Sequence, residues 1–361
     1  MRVPAQQIHR QLVSVFRAWG MSEAHADTTA DMMVETDLRG VDSHGIGMLP
    51  TYDQEFRNGR LNMRPSFKKV RETAAMALID ADASLGHPAA AHGMNLAVDK
   101  CLTVGVGVVA VFNSHHFGAA GCYARIAADR GVIGMVTSAT RGVTMVPTFG
   151  AEPVMGTNPL AFAAPAKRNA PFELDMATTT VAAGKVRVYK LNHKPLPAGW
   201  VVDGDGKTVT DSAKGFQHVS DRDGGITPLG GSREAGSHKG YGLAVMVHVL
   251  AGTLAGASFS PIRNQTQKTS DPHNIGHFFM AIDPRAFRAE GEFEDDLDQV
   301  IDVLHNAKRV DANQPVLVAG DPERANKKER LEQGVPIPDD LMDQLRAVAK
   351  NANVPFVLAG A

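Results

Sequence analysis

Apolar residues recur at Ile8, Leu12, Val15, Phe16 and Trp19, which is a helical period, and Gly20 offers a stop. A second helix is predicted over 22–38, with Ala30, Met33 and Leu38 on one side and Gly40 ending it. Positions 49–56 read as a further short helix, and the opening helical segment closes near the polar stretch 62–72. The period then changes. Residues 75–80 read as a strand, Pro88 opens a helix reaching about Leu102, and 106–112 form an apolar strand ending at Asn113. A glycine- and alanine-rich helix over 116–129 and a strand over 132–138 complete a β, α, β, α, β alternation, which predicts an α/β layer. Further on, 195–230 carry hairpin and loop signals, and 241–254 read as a buried helix. Helix, strand and helix are predicted over 293–306, 315–319 and 339–350.

Composition narrows the class. With 361 residues, 43% of them hydrophobic, the chain can bury a core large enough for more than one domain. Its 37 basic residues against 39 acidic ones leave no charge excess to imply a nucleic-acid or membrane-surface partner. Cys101 and Cys122 are too few for a disulfide framework and read as buried thiols of a reducing compartment. No leader and no membrane-spanning run is apparent, so a cytoplasmic location is expected.

Several motif-like stretches are better explained without a ligand. Gly105-Val106-Gly107-Val108-Val109-Ala110 fits a dinucleotide fingerprint in letters only, because the helix precedes it and the strand contains it. Those glycines are expected to end a helix and open a strand. Gly206-Lys207-Thr208 lacks the upstream glycine of a phosphate loop, and Asp203 to Gly206 reads as a hairpin turn and not a calcium loop. His273 and His277 have the spacing of two metal ligands on a helix, but Asn274 and Gly276 form helix poorly, and no metal is expected.

Two histidine turns hold the candidate chemistry. In Asp42-Ser43-His44-Gly45, an imidazole suited to proton transfer near neutral pH stands beside a hydroxyl, with a glycine leaving room for a ligand. The competing reading makes Asp42 or Ser43 a helix cap and His44 a bystander. In Asn113-Ser114-His115-His116-Phe117-Gly118, the turn follows an apolar strand and opens a predicted helix, where α/β proteins bind ligands. Its competing reading is an N-cap with two surface histidines.

The stretches DSHGIGMLPTY, NSHHFGAAGCYA, FGAEPVMGTNPLAFAAP, LDMATTTVAAGKV, SHKGYGLA, GHFFMAID and VAGDPERANKKERLEQGVPIP occur in one order along nearly the whole chain. Together they resemble the malate/L-lactate dehydrogenase-like family of NAD(P)-dependent oxidoreductases, and the SHGIGM wording is similar to its hydroxycarboxylate dehydrogenase branch. The resemblance implies a non-Rossmann nicotinamide-binding α/β (α+β) fold. Its expected parts are an N-terminal helical segment 1–72, a mixed sheet domain 73–300, and a C-terminal segment 301–361 packing back on the first helices. It also implies a homodimer, a small carboxylate substrate, and hydride exchange with a 2-oxo or 2-hydroxy acid.

Carried over residue by residue, the resemblance makes His44 the proton donor, Ser43 its relay and His116 a rival donor. It implies cofactor contacts from His115, His116, Phe117, Gly118, Ala119, Ser138, Asp175, Met176, Ala177, His238, Lys239, and the loop Gly320, Asp321, Pro322 and Glu323. Thr157 would touch substrate. NAD is favoured over NADP. Two departures bear on the substrate. Met48 stands where many relatives carry a carboxylate-gripping arginine, which passes that task to Arg141 or Arg57 and admits a bulkier oxo acid. Lys185, counted with the cofactor-side residues, stands where imine-reducing relatives place an aspartate relay. This favours an oxo acid over the alternative, a cyclic-imine carboxylate; a further alternative is a ligand-binding relative without catalysis.

Overall fold

Side chains one helical turn apart bury one stripe of α1 (Ala5–Ala18) against α2 (Glu23–Leu38) in the computed structural model, which describes residues 1–358. Ser22 caps α2 by accepting from the His25 N–H, and α3 (Leu49–Arg57) follows with Pro50 in its first turn. Ile8, Leu12, Phe16 and Met33 share their core with Val335, Met342, Leu345, Val348 and Leu358 from the far end of the chain. There, β11 (Val335–Pro336) pairs with β1 (Arg2–Val3), and α12 (Asp339–Asn351) packs on α3.

A seven-stranded mixed sheet carries the middle of the chain. In spatial order its strands are β2 (Lys68–Glu72), β3 (Met76–Ser84), β4 (Val106–Ser114), β10 (Ile275–Ile282), β5 (Ile133–Ala139), β6 (Leu160–Ala164) and β7 (Phe172–Met176). Only β3 and β4 run parallel, joined through α4 (Gly86–Val104); the other neighbours are antiparallel. Alanines of α4 and of α5 (Gly121–Asp129) let both helices lie close on the sheet. Gly105, at φ +87°, closes α4, and a Cβ on Gly107 would overlap the Ala97 carbonyl. The two glycines therefore end a helix and seat it on a strand, as their sequence context implies.

A satellite core around Val186, Leu196, Val201 and Ile226 lies under α6 (Ala183–Leu191), α7 (Ser212–Asp221), β8 (Val201–Asp203) and β9 (Gly224–Ile226). Asp203 Oδ1 accepts from the Asp205 and Lys207 N–H groups, so the Asp203–Gly206 stretch is the hairpin turn expected. The remaining helices are α8 (Ser237–Val247), α9 (Ser260–Arg263), α10 (Glu292–His305) and α11 (Asp321–Gln333). Among the described residues, no helix is long and apolar enough to cross a membrane.

Five local readings need correction. The helix expected over 116–129 begins at Gly121, because Gly118 sits at φ +76° and the His116 carbonyl accepts from Gly86 instead of starting a turn. The stretch 62–72 ends in strand β2, whose alternation is hidden because every residue of this edge strand is exposed. Residues 315–319 form no strand; Ala319 makes one backbone bond to Glu173. Within 195–230, α7 stands between the two strands, capped by Asp211. Finally, 241–254 is not buried all round: a π-helical turn (His248–Thr253) extends α8, and Val249 and Leu254 are exposed.

Candidate active site

The two histidine turns come from different layers and meet. The Asp42–Gly45 turn lies between α2 and a 3₁₀ turn (Ile46–Met48), and the His115–Gly118 stretch leaves the end of β4. Neither histidine turn is a helix cap. The Ile46 N–H donates to the buried Asp37 carboxylate at 2.8 Å, Asp42 pairs with Arg330 of α11, and Asn113 bonds Asp80. The turn that carries His44 is thus held from both sides, and Gly45 leaves no space for a Cβ against the Asp37 carboxylate.

His44 and His116 face each other with ring centroids 5.3 Å apart. Ser43 Oγ lies 2.7 Å from His44 Nδ1, and Tyr52 Oη of α3 lies 2.7 Å from His116 Nδ1. Ser43 is exposed, so the hydroxyl beside His44 meets solvent. Burial lowers the pKa of His44, and burial together with the neighbouring His44, His87 and His115 lowers that of His116 strongly. Both shifts favour the neutral imidazole, which carries one N–H and one lone pair.

They line a cavity of about 590 Å³, a volume ordinary for a cofactor or substrate site. Its wall also includes Ser43, Met48, His115, Phe117, Gly118, Ala119, Ser138, Arg141, Thr157, Asp175, Met176, Ala177 and Glu323. The fold therefore gathers these predicted residues from six separate stretches of sequence. Phe117 stacks on His277 at 4.5 Å, and His277 bridges Ser114 and Ser138 at 3.0 and 2.9 Å, which fixes the floor.

Other predicted residues lie outside this wall. Lys185 stands over the Trp200 ring, 5.5 Å from its centroid, although its neighbour Gly184 does face Ser43. His238 and Lys239 sit in the first turn of α8, where His238 meets Arg233. Gly320, at φ +101°, precedes α11. Asp321 is engaged by the Val318 N–H, His305 and Arg324, which outweigh its burial and bring its carboxyl down to about 2. Arg57 pairs with Asp53 and does not reach the cavity.

Charge on the wall falls into two groupings. At one, Arg141 approaches Glu55 at 3.9 Å, and Arg60 donates to Glu55 at 2.9 Å and to His273 Nε2 at 2.8 Å. Arg141 Nε and both His115 ring nitrogens are buried without a partner among the described residues. Ligand atoms of Glu55, His115 and His273 lie within 4.8 Å of one another, but the guanidinium charge packed on them opposes a dication and favours an anion. His273 and His277 thus point to different partners and form no ligand pair. At the other grouping, burial raises the Asp175 carboxyl to about 6 despite the Gly121 N–H it accepts at 2.8 Å, and Glu323 stands nearby. Glu173 there is neutralised by Arg39.

Sequence reasoning passes over Tyr52, Glu55, Asp37 and Arg60, and it weighs His273 only as half of a metal-ligand pair with His277. Tyr52 and Glu55 sit on α3 at positions that read as core, and the other three act at a distance no local spacing reveals.

The profile of the family described as malate/L-lactate dehydrogenase matches residues 3–346. The malate dehydrogenase of Pyrococcus horikoshii is 37% identical over 356 residues, covering 98% of this chain and 96% of its own. Hydroxycarboxylate dehydrogenase B of Escherichia coli is 32% identical, covering 98% and 95%. The crystal structure of malate dehydrogenase from Entamoeba histolytica superposes with a TM-score of 0.93 at 30% identity, covering 98% of this chain and 99% of the other. A mixed sheet, a cavity lined by paired histidines and a match over almost the whole length lead to one conclusion. The chain belongs to the malate/L-lactate dehydrogenase family and is a nicotinamide-dependent dehydrogenase of hydroxy acids.

Proposed function

We propose that the enzyme interconverts a 2-oxo acid and its 2-hydroxy acid, with His44 handling the proton and Arg141 gripping the substrate carboxylate. The observation that carries this reading is one cavity lined both by His44, backed by Ser43 at 2.7 Å, and by Arg141 with an unpartnered Nε. Loop 115–119, Ser138, Asp175, Met176 and Ala177 would hold the cofactor. Gly184 in the wall, where a Cβ would meet Ser43 only at 3.9 Å, leaves room that suits a flat ring system. When bound, the nicotinamide supplies the two-electron chemistry.

On the protein's side, His44 passes its ring proton to the oxygen of the reduced carbonyl while Ser43 Oγ returns one to Nδ1, so the ring stays neutral and solvent resupplies the exposed Ser43. Arg141 orients the acid, and the apolar Met48 leaves width beside it for a substituent. Thr157 completes the substrate wall. Asp175 and Glu323 would repel a 2′-phosphate, which favours NAD over NADP. Exposed Val249, Leu254 and Ile262 support a homodimer, and two free buried cysteines support a cytoplasmic location. For domains we keep the division at 1–72, 73–300 and 301–361, supported by the core that the two chain ends share.

Incubation with NADH or NADPH and a panel of 2-oxo acids and cyclic imines, followed at the nicotinamide absorbance band, tests the reading. Oxidation of NADH by an oxo acid is expected; no turnover with any oxo acid would overturn it. Arg141→Met is expected to raise KM for the oxo acid on the order of 10- to 100-fold, the loss of a charge-assisted pair, with nicotinamide affinity unchanged. Equal KM values in steady-state assays would move the carboxylate grip elsewhere.

A further inference from the structure

His116 Nδ1 has two hydrogen-bond partners. Tyr52 Oη lies at 2.7 Å, and the Gly118 N–H points at the same atom from 3.4 Å. A backbone N–H can only donate, so the atom it meets offers a lone pair. The tyrosine hydroxyl keeps its hydrogen, since burial pushes its ionisation far above the ordinary range. Among the described residues, Tyr52 Oη has no other hydrogen-bond partner than His116. A hydrogen on Nδ1 would face a second hydrogen from Gly118 and leave the buried hydroxyl to accept only, without an acceptor for its own proton.

We propose that Tyr52 is a positioning residue that fixes His116 as the Nε2–H tautomer, so that a neutral imidazole donates a hydrogen bond to the substrate oxygen. This rests on the reading that His44 delivers the proton. His116 Nε2 has no protein partner among the described residues and belongs to a ring that lines the cavity. Four imidazoles, His44, His87, His115 and His277, crowd the ring, which disfavours a cation there. A neutral N–H aimed where charge develops stabilises that charge without surrendering its own proton. The two histidines then divide the work: one donates a proton, the other polarises.

The hydroxyl is placed by packing. Tyr52 is fully buried on α3, and its ring meets His87 edge-on at 5.7 Å. Tyr52→Phe keeps that ring and removes only the hydroxyl.

Nitrogen-15 NMR of imidazole-labelled enzyme at pH 7, with His116 assigned by its loss in His116→Asn, reads the tautomer directly. The expected wild-type spectrum shows Nε2 protonated and Nδ1 bare; the reverse pattern overturns the proposal. In Tyr52→Phe the tautomer signature should become mixed and kcat should fall roughly tenfold, with KM nearly constant. Unchanged tautomer and kcat in a folded Tyr52→Phe enzyme would also overturn it. If that variant does not fold, the wild-type spectrum alone decides. Activity retained in His44→Asn would instead sink the proton-donor reading and leave the tautomer assignment standing.

Discussion

Replacing His44 with Asn is expected to lower kcat by roughly 10²–10⁴-fold, the range a positioned general acid contributes. Asparagine can still accept from Ser43 and fill the space, but an amide cannot take a proton at one atom while giving one up at another, as an imidazole does. Cofactor affinity should change little, because the contacts proposed for it lie on loop 115–119 and on β5 and β7. Steady-state kinetics with fluorescence titration of the reduced cofactor separates the two effects. Turnover near wild type in a folded His44→Asn enzyme would transfer the role to His116.

The second large effect is on stability. Burial raises the Asp37 carboxyl to about 7 in the folded chain, above the usual carboxylate range near 4 that applies when unfolded. Between those values the folded state binds the extra proton. Its stability therefore falls as pH rises from about 4 to 7, by on the order of 4 kcal/mol from this group. Glu35 works the other way. Burial is outweighed by Arg125, Lys327 and Arg39, which hold it at about 2, so its contribution is present above pH 4 and lost on acidification. Comparing wild type with Asp37→Asn isolates the first effect. Urea unfolding at pH 5 and pH 8 should show the variant gaining on wild type at the higher pH. An equal difference at both pH values would mean that Asp37 is ionised throughout.

Much of this architecture is readable from the chain because it depends on local period. Helices α1, α2, α4 and α12 and strands β3, β4 and β5 follow from apolar spacing and glycine stops within a few residues. Where the readings failed, a long-range partner decided. Residues 116–120 look helical by composition, yet Gly86 claims the His116 carbonyl and Asp175 claims the Gly121 N–H. Edge strand β2 shows no apolar alternation, and it is recognisable only by its pairing with β3. The site was legible in the same measure. His44 and His116 stand out because their turns carry chemistry that a plain cap does not need. Tyr52 and Asp37 do not, because a buried tyrosine on a helix and an aspartate at a helix end each have an ordinary explanation.

Arg330, which grips Asp42, lies in α11, and the strand that pairs with β1 lies just beyond it. Translation produces both only after the sheet and the stretches that line most of the cavity have been made. A nascent chain can therefore display every earlier cavity residue and still lack the brace on the turn that carries His44.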